Sequence, residues 1–213
     1  MGAPDDLTIP FPGSSGAPSR KLRPLERILF WVGVLCVGYG VWTWADAQVY
    51  QIVEGRRLDA LVSDILAGRA EMPRGGASKA TLDPNTPVGR IEIERIGVSA
   101  IIAEGVEART LRRAVGHVVN TALPGEPGNV VLAGHRDSFF HRLGEVRAGD
   151  RVRLITPEGA FTYDVDSTDV VGRDRVDLLE ASEDSVLTLI TCYPFNYVGP
   201  APDRFVVRAR LAG

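Results

Sequence analysis

Eighteen consecutive residues, Ile28 to Ala45, carry no charge. A helix of that length just reaches across a bilayer core. Trp42 and Trp44 stand near one end of the run, where aromatic rings favour the headgroup region. Arg20, Lys21, Arg23 and Arg27 precede the run and Asp46 follows it. The excess of basic residues on the N-terminal side predicts a cytoplasmic N-terminus and an extracytoplasmic remainder. Ala45-Asp46-Ala47 resembles a small-x-small cleavage site, which raises a signal peptide as a rival. The apolar run is longer than the ~7–15 residues of a signal peptide, so an uncleaved anchor is the preferred reading. Upstream, a stretch rich in Pro, Gly, Ser and Asp reads as a disordered tail.

The anchor divides the charge. Residues 1–45 hold four basic and three acidic residues, which leaves −4 on the rest of a chain whose net charge is −3. A mildly acidic outer domain argues against nucleic-acid binding, which needs a clustered positive surface. Two widely separated cysteines, Cys36 and Cys192, exclude a metal site built on cysteine pairs. No acidic cluster marks a calcium site, and no cofactor motif is present.

Beyond the anchor, Leu58, Leu61, Val62, Ile65 and Leu66 recur at helical spacing and predict an amphipathic stalk helix, weakened by Gly55 and Gly68. Gly75, Gly76, Ser78, Pro84 and Pro87 read as a linker. From about residue 88 the period changes to two. Ile91 and Ile93 alternate with Arg90, Glu92 and Glu94. Val152 and Leu154 alternate with Arg151 and Arg153, and Tyr163 and Val165 with Thr162, Asp164 and Asp166, across a turn at Pro157-Glu158-Gly159. Val130 to Ala133 reads as a buried strand and Val186 to Cys192 as another. In the last strand, Phe205, Val207, Ala209 and Leu211 face the core, opposite Arg204, Val206, Arg208 and Arg210. Helical pieces are expected only near Glu107 to Ala114 and Asp174 to Glu180. Many short strands of this kind predict a mostly β domain closed, or nearly closed, into a barrel.

Chemistry narrows to one thiol. Cys36 falls in the apolar run, so the outer domain has a lone cysteine, Cys192, with no disulfide partner. A free thiol in an oxidising compartment is either buried and inert or kept for reactivity. Cys192 ends the strand Thr188-Leu189-Ile190-Thr191-Cys192, where a rigid element presents it to a loop-built cleft. Cysteine nucleophiles pair with a histidine base. Of His117, His135 and His141, His135 directly follows the strand ending at Gly134 and so mirrors Cys192 at a strand end.

These residues resemble the sortases. Thr188-Leu189-Ile190-Thr191-Cys192 is similar to the sortase signature that ends in the catalytic cysteine. Gly134-His135-Arg136 is similar to the segment of the sortase histidine, and Arg204, at the start of the last strand, to the sortase arginine. Thr121-Ala122-Leu123-Pro124-Gly125 and Pro127-Gly128-Asn129 add to the likeness, which covers about residues 86–213. The stretch from Cys192-Tyr193-Pro194-Phe195 through Gly199, Ala201, Pro202 and Arg204 looks most like class D.

The resemblance implies an eight-stranded sortase-type barrel at 86–213, and the residues before it read as a disordered cytoplasmic tail at 1–27, an anchor at 28–45 and a stalk helix with linker at 46–85. It implies cleavage of a C-terminal signal similar to Leu-Pro-x-Thr-Gly after the threonine, through a thioester on Cys192. The protein is then transferred to an amine, either cell-wall peptide or a pilin lysine. His135 acts as acid and base, Arg204 serves the oxyanion or the peptide, and Thr191 orients the thiol or completes the oxyanion hole. No metal or other cofactor is implied. Loops at Ser167–Ser185 and Tyr193–Asp203 are expected to build the peptide groove, the first recognising Leu-Pro. Alternatives are a cysteine hydrolase on the same site and a non-catalytic anchored binding domain.

Overall fold

The computed structural model describes residues 22–67 and 82–212. Most of the expected tail, together with Arg20, Lys21, Gly68, Gly75, Gly76 and Ser78, lies outside the described residues. The chain divides into two compact units, residues 1–43 and 44–213. In the first, the described residues belong to helix α1 (Leu22–Leu66), which begins upstream of the uncharged run. Its consecutive apolar residues Ile28, Leu29, Phe30, Trp31 and Val32 are all exposed, so no single face is covered by protein. By length and composition this helix suffices to cross a membrane.

In the second unit the rest of α1 docks on a barrel. The contact stripe is Gln51, Gly55 and Leu58, at helical spacing, and Leu58 is buried. The expected apolar stripe is only partly used, since Leu61 is half exposed. The reason lies in the barrel's backbone. Strand β2 (Val98–Glu104) pairs with β3 (Val115–His117) only from Ile102 onward. The Ile101 N–H therefore needs another partner. The Gln51 side chain accepts from it at 2.8 Å and donates to the Arg113 carbonyl at 2.6 Å. Arg113, in the short helix α2 (Ala108–Arg113), grips the Asp46 carboxylate with both ends of its guanidinium. Gly55, which weakens the helix in isolation, exposes a carbonyl that accepts from Arg90 at 3.1 Å.

The remaining strands are β1 (Pro87–Ile93), β4 (Asn129–Ala133), β5 (Arg151–Thr156), β6 (Gly159–Gly172), β7 (Val186–Tyr193) and β8 (Asp203–Leu211). They close in the order β1-β2-β3-β4-β7-β8-β6-β5. Pairs β2/β3 and β4/β7 are parallel and the others antiparallel. The predicted turn at Pro157-Glu158-Gly159 joins β5 to β6 as a hairpin. Alternation fills the interior with Ile91, Ile93, Ile102, Val130, Leu132, Leu154, Tyr163, Leu187, Leu189 and Val207.

Two expectations are corrected. The loop expected at Ser167–Ser185 is shorter, because β6 continues to Gly172. A register shift between Val165 and Ser167 bends the strand, which then stays paired with β8 up to Gly172↔Asp203. Leu211, expected in the core, ends β8 beyond the packed layer and is exposed.

Candidate active site

Strand β7 lies between β4 and β8, and its C-terminal end carries Cys192. In the antiparallel β7/β8 ladder, Cys192 stands directly opposite Arg204. The β4/β7 ladder is parallel with a constant offset through Ala133↔Ile190, and the Gly134 N–H extends it by donating to the Ile190 carbonyl at 3.1 Å. β4 ends at Ala133, so His135 lies two residues beyond it, on the side of β7 away from β8. Cys192 and Arg204 thus form a row at one end of the barrel, with His135 just past the end of the neighbouring strand.

Side-chain direction follows from the strand period of two. Leu187 and Leu189 on β7 and Phe205 and Val207 on β8 belong to the core. Cys192 and Arg204 therefore face outward together. Val130 and Leu132 are in the core on β4, so Ala133, the last residue of that strand, takes the outer face. His135, Cys192 and Arg204 are all half-buried. Arg204 donates to its own loop, to the Asp203 carbonyl at 2.9 Å and the Ala201 carbonyl at 3.4 Å. Among the described residues, no hydrogen bond joins Cys192 to His135. Catalytic hydrogen bonds in substrate-free sites commonly tighten only on binding.

Thr191 alternates inward and is 2% exposed. Its hydroxyl donates to the Gly134 carbonyl at 2.8 Å and so ties the cysteine strand to the end of the histidine strand. Gly134 allows Phe140 to pack close, since a Cβ there would lie 2.6 Å from the ring. Gly144 does the same for Phe195. Phe195 meets Tyr193 and Phe205 in edge-on ring contacts, so an aromatic cluster supports the row from beneath.

The other two histidines are engaged elsewhere. His117 is 2% exposed, and its Nδ1 lies 2.6 Å from a Glu104 carboxylate oxygen. Its Nε2 lies 2.9 Å from the Ala122 carbonyl, which only accepts, so that nitrogen carries a proton. The His141 Nδ1 likewise faces the Ser138 carbonyl, at 2.7 Å. Among the described residues no group of three or more His, Cys, Asp or Glu side chains is placed to hold a metal ion.

Two further residues, present in the sortase-like motifs but given no role by them, shape the site. The Asn129 amide donates to the carbonyls of Leu178 and Glu180 at 2.9 and 3.1 Å, and its oxygen accepts from the Thr188 hydroxyl at 2.8 Å. It pins the β6–β7 loop over the outer face of β4 and β7. A polar residue opening a buried strand is the signal that marks it. Arg136 reaches the β7–β8 loop, donating to the Pro194 carbonyl at 2.9 Å, Tyr197 at 2.7 Å and Gly199 at 3.0 Å.

Comparison with known proteins shows the family. A family profile described as Sortase domain matches residues 91–212. Sortase D of Bacillus subtilis (strain 168) is 35% identical over 193 residues, covering 88% of this chain and 96% of that protein. A sortase D5 transpeptidase of Clostridium perfringens superposes with a TM-score of 0.62 at 25% identity, covering 79% of this chain and 99% of that one. A Clostridium perfringens sortase C, solved with the C-terminal cell wall sorting motif, superposes with a TM-score of 0.58 at 27% identity, covering 74% and 86%. With the barrel, the register and the matched profile in agreement, this chain belongs to the sortase family of cysteine transpeptidases.

Proposed function

We propose that this chain is a membrane-anchored, class D-like sortase that cleaves a Leu-Pro-x-Thr-Gly-like sorting signal and joins the protein to an amine. The observation that carries the reading is Cys192 on β7 paired opposite Arg204 on β8, with His135 two residues past the end of the neighbouring β4. The Cys192 sulfur attacks the threonine carbonyl, and the C–N bond to the next residue breaks. His135 supplies the proton that the leaving amine takes, and a thioester remains on Cys192. An incoming amine then attacks the thioester, His135 takes its surplus proton, and the thiolate departs. Two easier steps replace one difficult amide exchange. Arg204 donates hydrogen bonds to the oxyanion that forms in each step, a role worth ~2.7–4 kcal/mol at comparable sites. Thr191, through Gly134, sets the spacing between cysteine and histidine.

The uncharged run at 28–45 is the anchor, with the N-terminus in the cytoplasm and the catalytic domain at 86–213 outside. The sorting motif solved with a Clostridium perfringens sortase C supports the choice of substrate. The amine is cell-wall peptide or a pilin lysine. The test uses the detergent-solubilised chain, a Leu-Pro-x-Thr-Gly peptide library and mass spectrometry, with and without an amine. Cleavage after threonine, with an amide product when amine is present, is expected. Hydrolysis that ignores the amine would make the protein a hydrolase. Full activity in Cys192→Ala would overturn the mechanism.

A further inference from the structure

We propose that Arg136 is a positioning residue that holds the β7–β8 loop as a wall of the peptide groove; this rests on the sortase reading above. The loop, residues 194–202, joins the strand of Cys192 to the strand of Arg204, so its backbone forms the rim above that pair. It has no strand or helix of its own to hold it. Its base is anchored by Phe195 in the aromatic cluster against Gly144. Beyond the base the tip is exposed, with Val198 at 96%.

Arg136 supplies the second anchor. Its guanidinium bonds three carbonyls of the loop, those of Pro194, Tyr197 and Gly199, and lies 5.9 Å from the centroid of the Tyr197 ring. Among the described residues no carboxylate forms a salt bridge with it, so its fixed charge is met by backbone oxygens. A planar fork with five donors spans three separated carbonyls, and an ammonium on a flexible stem does not. The backbone of Arg136 follows His135 directly. One side chain therefore couples the segment holding the base to the loop that starts two residues after the nucleophile.

The test compares wild type, Arg136→Ala and Arg136→Lys in the full chain. Amide hydrogen exchange requires no activity and reads the clamp itself. In Arg136→Ala, the Tyr197 amide, which donates to the Pro194 carbonyl at 3.4 Å, should exchange about tenfold faster or more, the factor set by losing one net charge-assisted hydrogen bond. Amides of β7 and β8 should be unchanged, which shows that the barrel persists. Arg136→Lys should fall between the two. Kinetics on a Leu-Pro-x-Thr-Gly peptide should show KM raised about tenfold in Arg136→Ala with kcat changed far less, since the loop is wall rather than reacting group. Unchanged exchange in the loop would overturn the clamp. A collapse of kcat at constant KM would overturn the groove-wall role. Full recovery in Arg136→Lys would show that charge rather than the fork matters, and would overturn the argument. If wild type leaves the peptide uncut, the sortase substrate reading fails while the exchange result still decides the clamp.

Discussion

Thr191→Val separates a hydrogen bond from a shape. Valine keeps the volume of threonine, so no cavity opens beside Leu189 and Phe205. The bond from the hydroxyl to the Gly134 carbonyl, at 2.8 Å in a residue 2% exposed, is lost. Removing one partner of a buried bond costs about 1–3 kcal/mol. For a unit of this size that is a fall in Tm of about 2–12 °C. Urea unfolding of residues 44–213 should move its midpoint and keep its slope, the mark of a change in stability alone. The functional consequence is separable. Gly134 precedes His135, so losing the tie loosens the spacing to Cys192, and kcat should fall about tenfold, equivalent to ~1.4 kcal/mol of transition-state stabilisation. Thr191→Ser keeps the hydroxyl and gives up a methyl group, at about 0.5–1.5 kcal/mol of stability. It should hold most of the turnover. The reasoning is refuted if Thr191→Val matches wild type in both midpoint and turnover, or if Thr191→Ser is the slower of the two.

Two further outcomes follow from polar contacts outside the row. Glu104→Ala leaves the buried His117 Nδ1 without its partner at 2.6 Å, and removing one partner of a buried hydrogen bond costs about 1–3 kcal/mol, readable by calorimetry. Replacing both residues with apolar ones of similar size should recover most of that loss. Asp150 accepts from the Arg95 guanidinium and, at 2.7 Å, from the Arg147 N–H. The Arg95 hydrogen bond is the main cause of its lowered pKa. A carboxylate with a depressed folded pKa contributes stability that is complete above its unfolded value and is lost as pH falls through the folded value. Asp150→Asn should therefore lower Tm near neutral pH and converge on wild type in acid. A constant difference across the acid range would refute the linkage.

Local residues announce much of this site. The motif ending at Cys192 and the segment around His135 each close an apolar strand, and strand ends are where a rigid scaffold meets a cleft. Arg204 is different, because period-two alternation assigns it the same face as Arg208 and Arg210. The sortase-like motif singles it out in the sequence, and its register opposite Cys192 supplies the geometric reason. The roles of Arg136 and Gln51 are illegible for a related reason. Their partners are backbone carbonyls and N–H groups far along the chain, and a backbone group has the same chemistry at every position.

What the amino-acid order determines by itself is therefore what short-range physics controls. An uncharged run long enough to span a bilayer, alternating strands, a hairpin turn and one unpaired thiol in the outer domain can all be read within a few residues. Closure of the sheet decides the rest. It sets parallel β4 beside β7, extends β6 past its bend to Gly172, and covers the bare Ile101 N–H with Gln51 from α1. These outcomes depend on which backbone groups remain unpaired once the barrel has formed, and no local window of sequence contains that information.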